Sequence, residues 1–215
     1  MRKFSEVTKE GRLTIITINR PEVMNALHPP GNLELSEAFD NFVSDPDQWV
    51  AIITGAGDKA FCAGNDLKYQ ASGGDMKGQP SSGFGGITSR FDNTKPIIAA
   101  VNGVAMGGGF EIALACDLIV AAEDAVFSLP EPRVGLAALG GGIHRLPREI
   151  GIKKAMGMLL TGRRVSAQEG KDLGFVNEVS RKNSVLDTAK DWAGLILECA
   201  PVSYTHLTLP TNREV

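Results

Sequence analysis

Cysteine, histidine and aromatic residues are all scarce in this chain of 215 residues. It contains three cysteines and three histidines, and only 6% of its residues are aromatic. Cys62, Cys116 and Cys199 are far apart, with no Cys-x-x-Cys and no histidines at the spacing of a zinc site. We therefore expect reduced thiols, no metal site and a cytoplasmic location.

Long apolar runs and basic clusters are also missing. No segment has enough consecutive apolar residues to cross a bilayer, and residues 1–20 lack the apolar stretch of a secretory signal. The formal net charge is −3, and no run of basic residues is longer than two. These features predict neither a membrane nor a nucleic acid as partner, since phosphate binding needs clustered lysine and arginine.

The residues that are present predict an α/β fold. Hydrophobic residues make up 43% of the chain, which is enough for a sizeable core. Strands that read as buried on both faces alternate with amphipathic helices, a pattern typical of parallel pairing. The predicted strands are residues 13–19, 49–54, 96–101, 118–122 and 125–128, and the predicted helices are residues 33–43, 110–116, 143–160 and 184–199.

Two turns rich in small residues indicate a site where bare backbone is needed. Residues 103–109 contain three consecutive glycines between a predicted strand and a predicted helix, and residues 61–67 form the second turn. Consecutive glycines cost conformational entropy, so either tight packing or a ligand against the main chain must require them. One amide from each turn could converge on one oxygen and stabilise an oxyanion.

Two glutamates accompany these turns. Glu111 lies at the start of an apolar helix, where the helix dipole alone could account for an acid. Glu131 lies between two prolines, and pairing with Arg133 on the surface could account for it. Together, two carboxylates near one oxyanion site fit general acid and base chemistry on a water molecule.

Five segments resemble the enoyl-CoA hydratase/isomerase (crotonase) family in residue identity and in order. They read NRPEVMNAL at 19–27, KAFCAGNDL at 59–67, IIAAVNGVAMGGGFEIALACDLIVAA at 97–122, FSLPEPRVGLAALGGGIHRLPREIG at 127–151 and LLTGRRVSAQEGKDLGFVNEV at 159–179. The resemblance covers about residues 13–200. It implies the crotonase (ClpP-like) fold, a spiral of repeated β-β-α units.

The resemblance also implies roles for particular residues. The amides of Ala63 and Gly108 would hold the thioester oxygen, and Glu111 and Glu131 would bind and activate water. Coenzyme A would enter only as part of the substrate, without a separate cofactor. The residues implied to bind substrate are Asn25, Ala26, Leu27, Ala63, Gly64, Asn65, Asp66, Leu67, Gly107, Gly108 and Pro130.

The implied reaction is reversible hydration of the 2,3 double bond of an acyl-CoA thioester, as in an enoyl-CoA hydratase of fatty acid metabolism. The presence of both glutamates favours hydration over isomerisation. The alternatives are a carnitinyl-CoA dehydratase, an enoyl-CoA isomerase, or a non-catalytic remnant that binds CoA thioesters. Residues 139–151 resemble the family members called carnitinyl-CoA dehydratase. Dinucleotide binding at residues 55–60 is a rival from another class, because these residues fit G-x-G-x-x-G/A.

Three segments are expected along the chain. Residues 1–183 would form the crotonase core, and residues 184–201 would begin a C-terminal helical part that is mostly missing here. Residues 202–215 read as a non-native tail, because VSYTHLTLPT resembles a translated sequencing adapter. A homotrimer or dimer of trimers is expected for a full-length family member and is in question for a truncated chain.

Overall fold

The computed structural model of the protein describes residues 2–201 and 203. The part described contains ten strands and seven α-helices. In chain order the strands are β1 (Ser5–Glu10), β2 (Leu13–Ile18), β3 (Val50–Gly55), β4 (Ala60–Cys62), β5 (Ile97–Val101), β6 (Val104–Met106), β7 (Leu118–Ala122), β8 (Val126–Ser128), β9 (Val165–Ser166) and β10 (Glu178–Ser180).

The helices lie between and after these strands. They are α1 (Pro29–Ser44), α2 (Leu67–Ala71), α3 (Gly108–Leu114), α4 (Gly142–Ile150), α5 (Ile152–Thr161), α6 (Ala167–Leu173) and α7 (Val185–Leu197). Short 3-10 turns occur at Pro21–Val23, Phe84–Gly86, Glu131–Val134 and Lys182–Ser184.

The strands form two sheets, and most neighbours are parallel. The larger sheet has the order β1-β2-β3-β5-β7-β10, in which only β1 and β2 are antiparallel. The smaller sheet has the order β4-β6-β8-β9, with only β9 antiparallel to its neighbour. The predicted α/β class with parallel pairing is confirmed.

The core lies on both faces of the larger sheet. Every residue of β3 and β5 is buried, as expected for strands covered on both sides. One face receives α7, which contacts β3, β5 and β7 and buries Val185, Ala189 and Ala193. The helix predicted at residues 184–199 therefore packs on the central sheet.

Several elements differ from the sequence prediction. Helix α1 begins at Pro29 rather than at residue 33, because His28 caps it by accepting a hydrogen bond from the Gly31 amide at 3.3 Å. The glycine-rich turn at 103–109 includes strand β6, and β1 was not predicted. Residues 55–60 lead into strand β4 rather than into a helix, so the helix that dinucleotide binding requires is absent there.

None of the helices within residues 2–201 and 203 is long and apolar enough to cross a membrane. Of the tail predicted at residues 202–215, all but Ser203 lies outside the described residues.

Candidate active site

The glycine-rich segment turns sharply between β6 and α3. Gly107 has a φ of 53°, in the left-handed region that favours glycine, and its amide donates to the Ser128 carbonyl at 2.9 Å. Helix α3 begins at Gly108, and the amide of Glu111 is the first to donate back to the turn, at 3.0 Å to the Gly107 carbonyl. The Gly108 amide therefore has no acceptor within the helix.

The two small-residue turns pack directly against each other. Gly64 has a φ of 90°, and a Cβ there would lie 2.7 Å from the Met106 carbonyl oxygen and 3.3 Å from the Gly108 nitrogen. A Cβ on Gly109 would collide with the Cys62 carbonyl oxygen. The two turns are therefore in direct contact, and close backbone packing is one reason for their glycines.

The structure contradicts the role predicted for Ala63 as a free amide donor. The Ala63 amide donates to the Met24 carbonyl at 3.0 Å, so it is already occupied. Leu27 accepts from the Asp66 amide and donates to the Gly64 carbonyl, both at 2.8 Å. Asn65 lies between Gly64 and Asp66, and in such a parallel bridge its amide faces away from Leu27. The Asn65 amide has no acceptor among the described residues.

Glu111 is almost fully buried on the first turn of α3. Its side chain is 5% exposed, and Oε1 accepts a hydrogen bond from the Gly142 amide at 2.9 Å. A Cβ on Gly140 would lie 2.5 Å from Oε2, so the connection before α4 packs closely on this carboxyl. The pKa of Glu111 is raised to about 7, chiefly by burial and also by the nearby charge of Glu131, while the Gly142 hydrogen bond acts in the opposite direction.

Glu131 lies on the 3-10 turn that follows β8. A Cβ on Gly107 would be 3.0 Å from its Oε1, which places the carboxyl against the glycine-rich turn. Its Oε2 is buried and has no hydrogen-bond partner among the described residues. Burial raises the pKa of Glu131 as well. Two carboxyls that both resist ionisation thus adjoin the same turn, an arrangement suited to proton transfer near neutral pH.

Asn25 was predicted to bind substrate, but its side chain has a structural role. It is fully buried and donates through Nδ2 to the carbonyls of Ala60 at 2.7 Å and Ala56 at 2.9 Å. Its Oδ1 accepts from the Arg20 amide at 2.9 Å. Asn25 therefore holds the loop before α1 to the start of β4.

Arg20 connects the two segments that were predicted to line the groove. Its Nη1 donates to the Ala26 carbonyl and lies 2.9 Å from Oδ2 of Asp66. Asp66 also caps α2 by accepting from the Tyr69 amide at 3.0 Å. The side chain of Asp66 is thus occupied within the protein, and sequence reasoning missed the Arg20 that positions it.

An apolar cavity of about 550 Å³ adjoins these segments. It brings together Leu67 and Pro130, two of the predicted substrate-binding residues, with Met24 and Met106 beside them. The remaining lining residues are Val104, Val126, Ser128, Arg133, Val134, Gly162 and Arg164. A cavity of this size and apolar lining can hold part of an organic ligand.

Two further side chains at the site were missed from the sequence. Arg145 of α4 donates to the carbonyls of Thr88 at 3.0 Å and Gly140 at 3.4 Å, and its charge lowers the pKa of the neighbouring Glu111 carboxyl. The ring of Phe84 packs on Gly108. No motif near either residue predicted it, because both are far from Glu111 in sequence and only the fold brings them to the site.

Metal ligands do not cluster in the described part of the chain. Within residues 2–201 and 203 there is no group of three or more His, Cys, Asp or Glu side chains placed to hold a metal ion. The site is therefore described by its two carboxyls, its glycine-rich turns and the apolar cavity.

Comparison with known proteins identifies the class to which this fold and site belong. The model of the enoyl-CoA hydratase/isomerase family matches residues 8–215. The chain belongs to this family and has the crotonase fold.

Particular relatives sharpen the comparison. Carnitinyl-CoA dehydratase of Salmonella enteritidis PT4 is 43% identical over 208 residues, which are 96% of this chain and 79% of that protein. The structure of a carnitinyl-CoA dehydratase from Mycobacterium avium 104 matches with a TM-score of 0.91 and 42% identity, over 95% of this chain and 80% of that one. Enoyl-CoA hydratase from Mycobacterium tuberculosis H37Rv matches with a TM-score of 0.88 and 41% identity, over 94% and 79%.

Proposed function

We propose that the chain catalyses reversible addition of water to the 2,3 double bond of an acyl-CoA thioester. The observation that carries this proposal is the pair of carboxyls against the glycine-rich turn, of which Glu111 is buried and Glu131 is half-buried. Burial raises the pKa of both carboxyls, that of Glu111 to about 7, so Glu111 can exchange a proton near neutral pH. The family's hydratases and dehydratases support the same class of reaction.

The two carboxyls would hold one water molecule over the substrate. Glu111 is fixed by the Gly142 amide, and Glu131 keeps one buried oxygen without a partner for this water. A carboxylate takes a proton as the water oxygen bonds to C3, and the π electrons move toward the thioester oxygen. The enolate then takes a proton at C2 from a protonated carboxyl of the pair, the carbonyl re-forms, and the pair returns to its starting protonation state. Dehydration follows the same steps in reverse.

The negative charge on the thioester oxygen needs two hydrogen-bond donors. We assign these donors to the amides of Gly108 and Asn65, since neither has an acceptor in the described part of the chain. Gly64, the residue before Asn65, packs against Gly108 and so brings the two segments together. We do not assign the Ala63 amide to this role, because it already donates to the Met24 carbonyl. Loss of one such donor typically costs about 10²–10³ in rate.

A second candidate is dehydration of carnitinyl-CoA, which the names of the relatives favour. It uses the same acid and base chemistry on a substrate with a quaternary ammonium group. The two candidates differ in the acyl group and not in the catalytic residues.

Product analysis tests the proposal. The protein would be incubated separately with crotonyl-CoA, carnitinyl-CoA and a 3-enoyl-CoA, and the products would be identified by mass spectrometry. We expect 3-hydroxybutyryl-CoA from crotonyl-CoA. Conversion of carnitinyl-CoA alone would favour the second candidate. Conversion of the 3-enoyl thioester alone would mean isomerisation, and conversion of none would refute both hydration and dehydration.

A further inference from the structure

The 3-10 turn Phe84–Gly86 holds an aromatic side chain against the proposed oxyanion site. A Cβ added to Gly108 would lie 2.5–2.9 Å from the ring atoms Cε1, Cδ1 and Cζ of Phe84. The ring therefore rests on the Cα of the residue whose amide we assign to the thioester oxygen. Any acyl chain attached to that carbonyl begins within reach of the ring.

The turn is built to fix this ring in place. Gly85 and Gly86 have φ values of 62° and 71°, and a Cβ on either would collide with Ile112 of α3 or with the Ser36 backbone of α1. The Gly85 amide donates to the buried Oδ1 of Asn32 at 2.7 Å. Contacts to two helices and a buried hydrogen bond leave the turn little freedom to move.

Phe84 itself is only half-buried, although its neighbours Gly85, Gly86 and Ile87 are buried. Within the described residues its ring stacks on no other aromatic ring. Phe84 packs against the core but keeps some exposed apolar surface, in the same turn that contacts Gly108.

We propose that Phe84 is a specificity-determining residue that closes the acyl end of the site and selects short acyl groups. This inference rests on the proposed function. A rigid ring beside the thioester favours a crotonyl-sized chain by contact and opposes longer chains by steric exclusion. Each methylene in an apolar pocket is typically worth about 10–200-fold in discrimination.

The test is a chain-length profile of kcat/KM with crotonyl-CoA, 2-hexenoyl-CoA and 2-decenoyl-CoA, measured by loss of the conjugated thioester absorbance. We expect wild type to prefer crotonyl-CoA. Phe84→Ala should raise the ratio of decenoyl to crotonyl activity at least about tenfold, and Phe84→Leu should give an intermediate ratio. Leu195→Ala truncates an exposed apolar residue on α7 and should leave the profile unchanged.

Binding measurements separate failure of this inference from failure of the proposed function. Butyryl-CoA and decanoyl-CoA cannot be hydrated, so calorimetric affinities report the acyl pocket even if the protein hydrates nothing. The expected result is again a shift toward the longer thioester in Phe84→Ala and Phe84→Leu. A profile and affinity ratio that stay at the wild-type values in a folded Phe84→Leu variant would overturn the assignment. Hydration that is absent while the affinities shift would refute only the proposed function.

Discussion

Nη1 of Arg20 lies 2.9 Å from Oδ2 of Asp66, and both side chains are nearly buried, at 10% and 7% exposure. The same Nη1 reaches the Ala26 carbonyl, so one guanidinium joins the loop before α1 to the turn that carries Asn65. We infer that this pair positions the Asn65 amide, one of the two proposed oxyanion donors.

Removal of the Arg20 guanidinium should be strongly destabilising. Arg20→Met leaves the Asp66 carboxylate buried without its partner, which typically costs about 3–5 kcal/mol in the free energy of unfolding. Chemical denaturation measures this loss. Arg163→Met is the matched control, because the Arg163–Glu169 pair at 2.7 Å is about 40% exposed on each side and should matter little. Equal effects of the two substitutions would contradict the positioning role.

The assignment of the Asn65 amide can be tested at a single atom. An amide-to-ester replacement at residue 65 removes that N–H, and kcat for hydration should fall about 10²–10³-fold. The same replacement at Ala63 removes only the bond to Met24, costing about 1 kcal/mol of stability with little effect on kcat. A larger loss of kcat at 63 than at 65 would restore Ala63 as the donor.

Burial of Glu111 should make stability depend on pH in a defined direction. Its pKa rises from 4.5 in the unfolded chain to about 7 in the fold, so between these values the folded state binds more protons. The contribution of Glu111 to the free energy of unfolding is therefore fully present below about pH 4.5. It is lost as the pH rises through about 7, and the loss amounts to about 3 kcal/mol.

Comparison with Glu111→Gln isolates this contribution. The amide keeps an acceptor for the Gly142 N–H but has no proton to lose. We expect the variant to be more stable than wild type at pH 8 and close to it at pH 4.5, from denaturation at each pH. Parallel stability curves for the two proteins would show that Glu111 ionises normally.

Arg145 should shift the acid limb of the pH–rate profile to lower pH. Its charge favours the ionised form of Glu111, against burial and the Glu131 charge. Arg145→Met should therefore raise the pKa of Glu111 and move the acid limb of kcat/KM to higher pH, whereas Arg145→Lys should move it less. A lower rate with an unshifted limb would mean that Arg145 serves only to hold the Thr88 and Gly140 carbonyls.

Much of the fold could be predicted because the buried strands are strongly patterned. Residues 49–54 and 96–101 are continuous apolar runs, and both are central strands. Strand β1 could not be predicted in this way, because it is an edge strand with mainly polar, exposed residues. Strand β6 is only three residues long and lies among glycines, which read as a turn.

The site was predicted in part. Family motifs and glycine spacing mark Glu111, Glu131 and Gly108 in the sequence, and the structure places all three at one turn, whereas their roles stay predictions. Whether an amide already has a hydrogen-bond acceptor depends on residues distant in sequence. The bond from the Ala63 amide to the Met24 carbonyl could therefore not be predicted from the sequence. Arg145 lies 34 residues after Glu111, and only the fold places them together.

The central claim is that two carboxyls carry out hydration. The most direct measurement is the rate at which crotonyl-CoA loses its conjugated absorbance with wild type and with the double variant Glu111→Gln/Glu131→Gln. Glu149→Gln is the control, because Glu149 is an exposed carboxyl near the end of α4 and makes no contact with the two glutamates of the site. We expect hydration by wild type and by Glu149→Gln, and no hydration above background by the double variant. Hydration that survives both substitutions would contradict it.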